Sequence, residues 1–331
     1  MLLKVFKGTG PGVILLIALT MGTLWANAFI EPSSPTFSNA AGCQMPLYSL
    51  LVKLFGENHL AGVLFSFALV ACMAFLLVGF NTSVFFINER TFLPAFFYVL
   101  LTSLFRENQV LNPALPGAVF LMIAIIRIMD SYRKPGVAYN FFDAGIFISL
   151  GTLFYSDLIW FGIIIFIGIL MLRTISFLEL FGAITGLVTP VLITTGIFFV
   201  LDMDPAGFLS GFFSGLFSET GSFDFQKLTI LLLIITGIII LVSMFHLLSG
   251  INSKKIKSRK TFNLLLWILV LALSLFFAIP SISVEINWIL AIPASYVLTH
   301  FFVFTSKRMV TGIVFTVYFL LILLMQILYF F

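Results

Sequence analysis

Apolar runs of about 14–22 residues recur along the chain, separated by short polar stretches that hold most of its charge. A membrane-crossing helix needs about 20 mostly apolar residues, fewer where flanking polar groups reach back to the surface. The pattern predicts eleven spans, at 10–30, 60–84, 92–105, 114–130, 139–155, 158–173, 179–201, 228–249, 262–280, 286–304 and 309–330. Two further apolar stretches are too short to cross but carry helical periodicity. In 45–58, Leu47, Leu50, Leu51, Leu54 and Phe55 fall on one side, with Ser49, Lys53 and Glu57 polar. In 207–218, apolar pairs such as Phe212-Phe213 alternate with Ser-Gly pairs every four residues. Both predict helices lying in the interface rather than through it. The stretch from Glu31 to Gln44 is rich in Pro, Ser, Gly and Asn and reads as irregular. The expected fold class is all-α, a polytopic bundle forming one integral membrane domain over 1–331, with no internal repeat.

Composition agrees with this reading. Of the 331 residues, 61% are hydrophobic and 9% charged, and Phe alone fills 42 positions. Soluble domains carry roughly a quarter charged residues, so a soluble enzyme, a nucleic-acid-binding domain and a disordered chain are excluded. Phe-rich stretches such as Phe198-Phe199 and Phe276-Phe277 read as packing or lipid-facing surface. Gly182, Gly186 and Pro190 read as a close helix contact.

Sorting the charges by side predicts direction. With Lys4 and Lys7 in the cytoplasm, alternation gathers 14 of the 17 basic residues inside, including Arg90, Arg127, Arg173, the Lys254–Lys260 cluster, Lys307 and Arg308. Only Lys53, Arg106 and Lys227 fall outside, whereas nine of the 13 acidic residues do. The expectation is N-terminus in, C-terminus out. The first span also resembles a cleavable signal ending at Ala26-Asn27-Ala28, although its apolar stretch runs on to Ile30.

Candidate chemistry is sparse. Cys43 and Cys72 and the three histidines, His59, His246 and His300, are far apart in the chain, lack metal-ligand spacing and predict no metal site. No residue pattern assigns a cofactor. Ionised groups persist in a membrane protein where they meet water or a partner, which directs attention to the outer face. Glu31 follows the first span, Glu57 and His59 close the interfacial helix, Arg106 and Glu107 end the third span, and Asp202 and Asp204 end the seventh. A lipid phosphate donating to a sugar acceptor needs a carboxylate base and a cation. Glu31 and Glu107 are the candidate catalytic carboxylates; Arg106, His59, Lys53 and Arg90 are candidate substrate contacts, with 45–58 as lid or guide. Each also reads as an ordinary helix end or snorkelling group. Arg127 and Asp143 are expected to pair near the inner boundary. The Ser-Gly stripe reads either as a membrane-dipping helix beside a site or as simple packing.

The segments Ile87-Asn88-Glu89-Arg90-Thr91-Phe92-Leu93-Pro94, Asn140-Phe141-Phe142-Asp143-Ala144-Gly145 and Ser176-Phe177-Leu178-Glu179-Leu180 resemble an uncharacterised inner-membrane family of Gram-negative bacteria over most of the chain. Members have been labelled carotene monooxygenase, which does not suit these residues: such oxygenases hold iron through more histidines than the three present. The resemblance implies a bacterial inner-membrane location and no activity. A weaker, architectural likeness is to GT-C glycosyltransferases and lipid-linked glycan polymerases, which would put Glu31 at the catalytic acidic position. No paired acidic motif and no external globular domain accompany it. The leading expectation is a part in envelope glycan or lipid assembly, with membrane lipids and a polyprenyl- or lipid-linked glycan as partners. A non-catalytic subunit packing against other membrane subunits, and a transporter, stay open beside it, as does whether a reaction is catalysed at all.

Overall fold

The computed structural model describes residues 2–36, 45–134, 136–172, 176–217, 227–305 and 308–328. Cys43, Arg173, Lys307 and Ser218 lie outside the described residues. Every regular element among those described is helical. In chain order they are α1 (Leu2–Phe6), α2 (Pro11–Leu24), α3 (Ala26–Ile30), α4 (Pro46–Phe55), α5 (His59–Val84), α6 (Leu93–Thr102), α7 (Ala114–Asp130) and α8 (Ala138–Thr152). There follow α9 (Ile163–Leu172), α10 (Phe177–Val200), α11 (Pro205–Gly215), α12 (Lys227–Gly250), α13 (Ile256–Ala278), α14 (Asn287–Phe304) and α15 (Arg308–Leu328).

Each expected span corresponds to one or two helices, but among the described residues six are long and apolar enough to cross a membrane. These are α5, α10, α12, α13, α14 and α15. The count of eleven is not reached because the other segments are shortened or broken. The first is interrupted at Trp25 between α2 and α3. The third, α6, has ten residues, about 15 Å of helix at 1.5 Å per residue, half the hydrocarbon thickness. All ten are buried. Such a helix need not reach water, because neighbouring protein rather than lipid surrounds its ends.

That neighbour is α14, where all but four residues are buried. Asn287 Nδ2 donates to the Leu101 carbonyl at 2.9 Å, and Tyr98 OH to the Trp288 carbonyl at 3.3 Å. At the opposite end of this pair an aromatic cluster fills the centre. Phe6 packs at a tilt against Phe96 (ring centroids 4.2 Å apart), while Phe96 stacks on Phe315 (5.4 Å) and Phe97 on Phe302 (5.2 Å). Much of the Phe content is therefore core packing. By contrast α10 and α12 leave most of their apolar surface uncovered, as expected of helices facing lipid.

The tightest crossing joins α8 and α10. A Cβ at Gly145 would sit 2.8 Å from the Ala183 carbonyl oxygen, and one at Gly186 would collide with the Phe142 carbonyl oxygen. The close contact expected at Gly182 and Gly186 is thus made, against Ala138, Phe142 and Gly145 of α8.

The bundle has two chemically different ends. At one, Lys7 Nζ reaches Glu89 Oε2 at 3.2 Å, Arg127 lies 3.8 Å from Asp143 as expected, and Lys254 sits over the rings of Phe262 and Phe304. Partial burial there lowers the Lys254 ammonium from its ordinary value. At the other end are Glu31, Arg106, Asp157 and Glu285, with both expected interfacial helices. These run Pro46–Phe55 and Pro205–Gly215, each with Pro in its first turn, where the missing N–H costs nothing. They join through one small apolar cluster of Met45, Tyr48, Leu111, Phe212 and Leu216.

Candidate functional site

Between α6 and α7 the backbone is irregular over residues 103–113, with a single 3-10 turn at Arg106–Asn108. Nearly all of this segment is buried. Irregular backbone within a membrane bundle requires substitute hydrogen bonds, because lipid offers none. Side chains from three other elements supply them. Gln326 Nε2 of α15 donates to the Ser103 carbonyl at 2.6 Å, and Ser66 Oγ of α5 to the Val110 carbonyl at 3.0 Å. Tyr48 OH of α4 lies 3.0 Å from the Leu111 carbonyl oxygen and 2.6 Å from that of Thr36. The segment donates in return: Gln109 Nε2 to the Leu24 carbonyl of α2 at 3.2 Å, Asn108 Nδ2 to the Val284 carbonyl at 3.3 Å. Asn112 Oδ1 accepts from the Ala114 N–H at 2.8 Å and so starts α7.

This fixed segment presents Arg106 to Glu31, which closes α3. Arg106 NH2 and Glu31 Oε2 are 2.9 Å apart, with the side chains 33% and 70% exposed. The candidate base and phosphate contact therefore meet, as a partly solvated ion pair. Glu107, Lys53 and His59 are exposed at the same end. Arg90 is not part of this site. It is exposed in the 85–92 turn at the opposite end, beside Glu89 and Lys7. Asn81 orders that turn, accepting from the Ile87 N–H and donating to the Glu89 carbonyl. The Ser-Gly stripe folds inward: Gly211, Phe212 and Gly215 are buried, while Ser210 and Ser214 donate back to carbonyls of their own helix.

A second, buried group was passed over by sequence reasoning. Asp157, in the linker between α8 and α9, is 0% exposed, and Glu285, in the turn before α14, is 6% exposed. Asp157 Oδ1 is 2.9 Å from Ser281 Oγ. Tyr155 and Tyr48 complete the group, with Thr36 and Asn112 facing Glu285. Burial pushes the Asp157 carboxyl up to about 6, opposed by the Ser281 and Tyr155 hydroxyls. Burial, reinforced by the charge of Glu285, also raises the Tyr48 phenol, so it stays a neutral donor. The signal was present: each carboxylate sits in a short linker among hydroxyls, Tyr155-Ser156-Asp157 and Ser281-Ile282-Ser283-Val284-Glu285.

An apolar cavity of about 560 Å³ opens between α12 and α13, floored by α6 and α14. It runs from Phe105 and Phe277 to Met244, with Thr236 and Asn287 its polar lining. Phe105 immediately precedes Arg106, and Val284 and Ile286 flank Glu285. The cavity therefore begins where the charged and buried acidic groups are.

Two of the histidines, far apart in sequence, are not apart in space: the rings of His246 and His300 are 5.7 Å apart near the other end. The chain returns through α14 beside α12, which spacing alone does not reveal. Among the described residues no group of three potential ligands is placed to hold a metal.

A family described as of unknown function, DUF6427, matches residues 44–331. No curated protein matches the chain, and no solved structure does.

Proposed function

We propose, for a chain that belongs to the DUF6427 family of unknown function, that it holds a lipid-linked substrate at the outer leaflet of the bacterial inner membrane, in envelope glycan or lipid assembly. The observation that carries this reading is the apolar cavity between α12 and α13, which ends at Phe105, next to the Glu31–Arg106 pair. A prenyl or acyl chain fits its lining, and a phosphate at its head would meet the guanidinium. Arginine recognises phosphate and carboxylate with the same planar set of donors. A phosphate arriving at Arg106 displaces Glu31, and the released carboxylate is then free to accept a proton from an incoming hydroxyl. Glu107, Lys53 and His59 stand at the same end as further contacts, with α4 as the guide.

The topology that goes with this reading keeps eleven membrane segments, several of them short and sheltered, with the N-terminus cytoplasmic and the C-terminus periplasmic. The basic-rich end at Lys7, Arg127 and Lys254 would face the cytoplasm. The likeness to GT-C enzymes extends only to this layout. The test is the profile of lipid-linked glycans in cells carrying Glu31→Gln or Arg106→Ala. The proposal expects the lipid-linked precursor to accumulate in both. Normal glycans with a normally expressed variant would remove it.

A further inference from the structure

The rings of His246 in α12 and His300 in α14 have their centroids 5.7 Å apart. His300 is 3% exposed, and neither of its ring nitrogens has a hydrogen-bond partner among the described residues. Nδ1 of His246 is likewise buried and unpartnered. An imidazole always carries at least one N–H, and a buried donor without an acceptor costs about 1–3 kcal/mol. Two such rings side by side call for an acceptor that reaches both.

Lys254, in the turn after α12, adds a charge to this pair. Its ammonium lies 5.0 Å from the ring centre of Phe304 and 5.5 Å from that of Phe262. His300 packs on the same two rings, at 4.9 Å and 5.4 Å. Lys7 reaches the same end of α14 at the Val303 carbonyl, and it has Glu89 3.2 Å away as its counter-ion. Lys254 has no such carboxylate among the described residues. The acidic residues outside them, Glu219 and Asp224, precede the opposite end of α12, a helix of 24 residues.

The next helix adds to the imbalance. Lys255 is the N-cap of α13, Lys257, Arg259 and Lys260 follow, and no acidic residue stands in the first turn. A helix N-terminus already carries about half a positive charge. Water satisfies an imidazole but supplies no negative charge, and a metal ion would add to the positive charge present. An anion with several acceptor oxygens meets both needs.

We propose that His246, His300 and Lys254 form a phosphate-binding site at the basic end of the bundle. The phosphate oxygens accept from the two imidazoles and from the ammonium. Basic pockets between membrane helices hold lipid head groups in this way. Lys254 and His246 are half-buried, so the cluster reaches the surface. The ligand chemistry is a phosphate group, carried by an anionic lipid or free in solution. The site lies at the end of the bundle away from the Glu31–Arg106 pair and does not depend on the lipid-linked reading.

The chain has three histidines, so NMR of the full chain with ring-15N histidine, in phosphatidylcholine nanodiscs, reports on the site directly. Exposed His59, at the other end, is the internal control. Inorganic phosphate is added in one arm and phosphatidic acid is placed in the nanodisc in the other, at constant ionic strength. The expected result is a shift of two imidazoles, with the third unmoved, and loss of that shift in Lys254→Met. A shift with phosphatidic acid alone assigns the phosphate to a lipid head group, and a shift with inorganic phosphate assigns it to a free anion. No shift in either arm overturns the proposal without reference to any variant. So does a shift that His59 shares, or one retained in Lys254→Met.

Discussion

Gly186 offers the sharpest test of the packing. A Cβ there would lie 3.0 Å from the Phe142 carbonyl carbon and 3.1 Å from Gly145 Cα, and closer still to the Phe142 carbonyl oxygen. Ordinary carbon contacts are about 3.5–4.0 Å. All three obstacles are backbone, so no rotamer change relieves them and α8 must move away from α10. Overpacking of this kind costs about 1–3 kcal/mol. Against it stands the preference of a helix interior for Ala over Gly, about 0.8–1 kcal/mol. With backbone on all sides the clash falls at the upper end of that range and wins, so Gly186→Ala should be destabilised by up to about 2 kcal/mol. Gly196, on the same helix, has nothing within 4 Å of its Cβ position. There only the propensity operates, and Gly196→Ala should be neutral to stabilised. Thermal unfolding in detergent, at one scan rate because membrane proteins often unfold irreversibly, should rank them Gly196→Ala, wild type, Gly186→Ala. A Gly186→Ala protein as stable as Gly196→Ala would refute the close α8–α10 crossing.

Other consequences follow from the same structure. Tyr48→Phe removes the donor shared by the Thr36 and Leu111 carbonyls and should cost about 1–3 kcal/mol, seen as faster amide exchange in α4 and residues 108–113. The Glu31–Arg106 pair is partly solvated, so a double-mutant cycle on unfolding should return a coupling of about 0–1 kcal/mol; a much larger value would mean it is structural rather than displaceable. Asp157 binds its proton more tightly folded than unfolded, so its contribution is full below its ordinary value of 3.8 and is lost as pH rises through about 6. Asp157→Asn should flatten the stability profile across that window, and an unchanged profile would contradict the burial argument.

The hydrophobic pattern made the helices legible because burying apolar side chains is what orders them. It predicted α4 and α11 within a few residues, and the Gly182–Gly186 contact from small residues in an apolar run. Length was the weak point. A run such as 92–105 reads as a span, but Asn112-Pro113 and the polar 106–109 stretch shorten α6 to ten residues, and protein on all sides makes the short helix tolerable. The site was half legible. Glu31 and Arg106 each border a span, and a charge beside a span is visible in sequence. Arg90, which charge sorting already set on the inner side, lies by Glu89 and Lys7 at the end away from the Glu31–Arg106 pair. Asp157 and Glu285 were hidden for a different reason. Their meaning lies in a tertiary meeting with Ser281, Tyr155 and Tyr48 from separate linkers, and local spacing does not encode that.

The most direct test of the lipid-linked reading is retention of added polyprenyl phosphate, measured by native mass spectrometry, in the wild type and in Gly237→Trp. Gly237 lines the apolar cavity, and its Cβ position meets nothing within 4 Å, so the indole fills the space without disturbing the helices. Retention by the wild type and its loss in Gly237→Trp is the expected outcome. Equal retention by both, or by neither, would contradict a substrate held between α12 and α13.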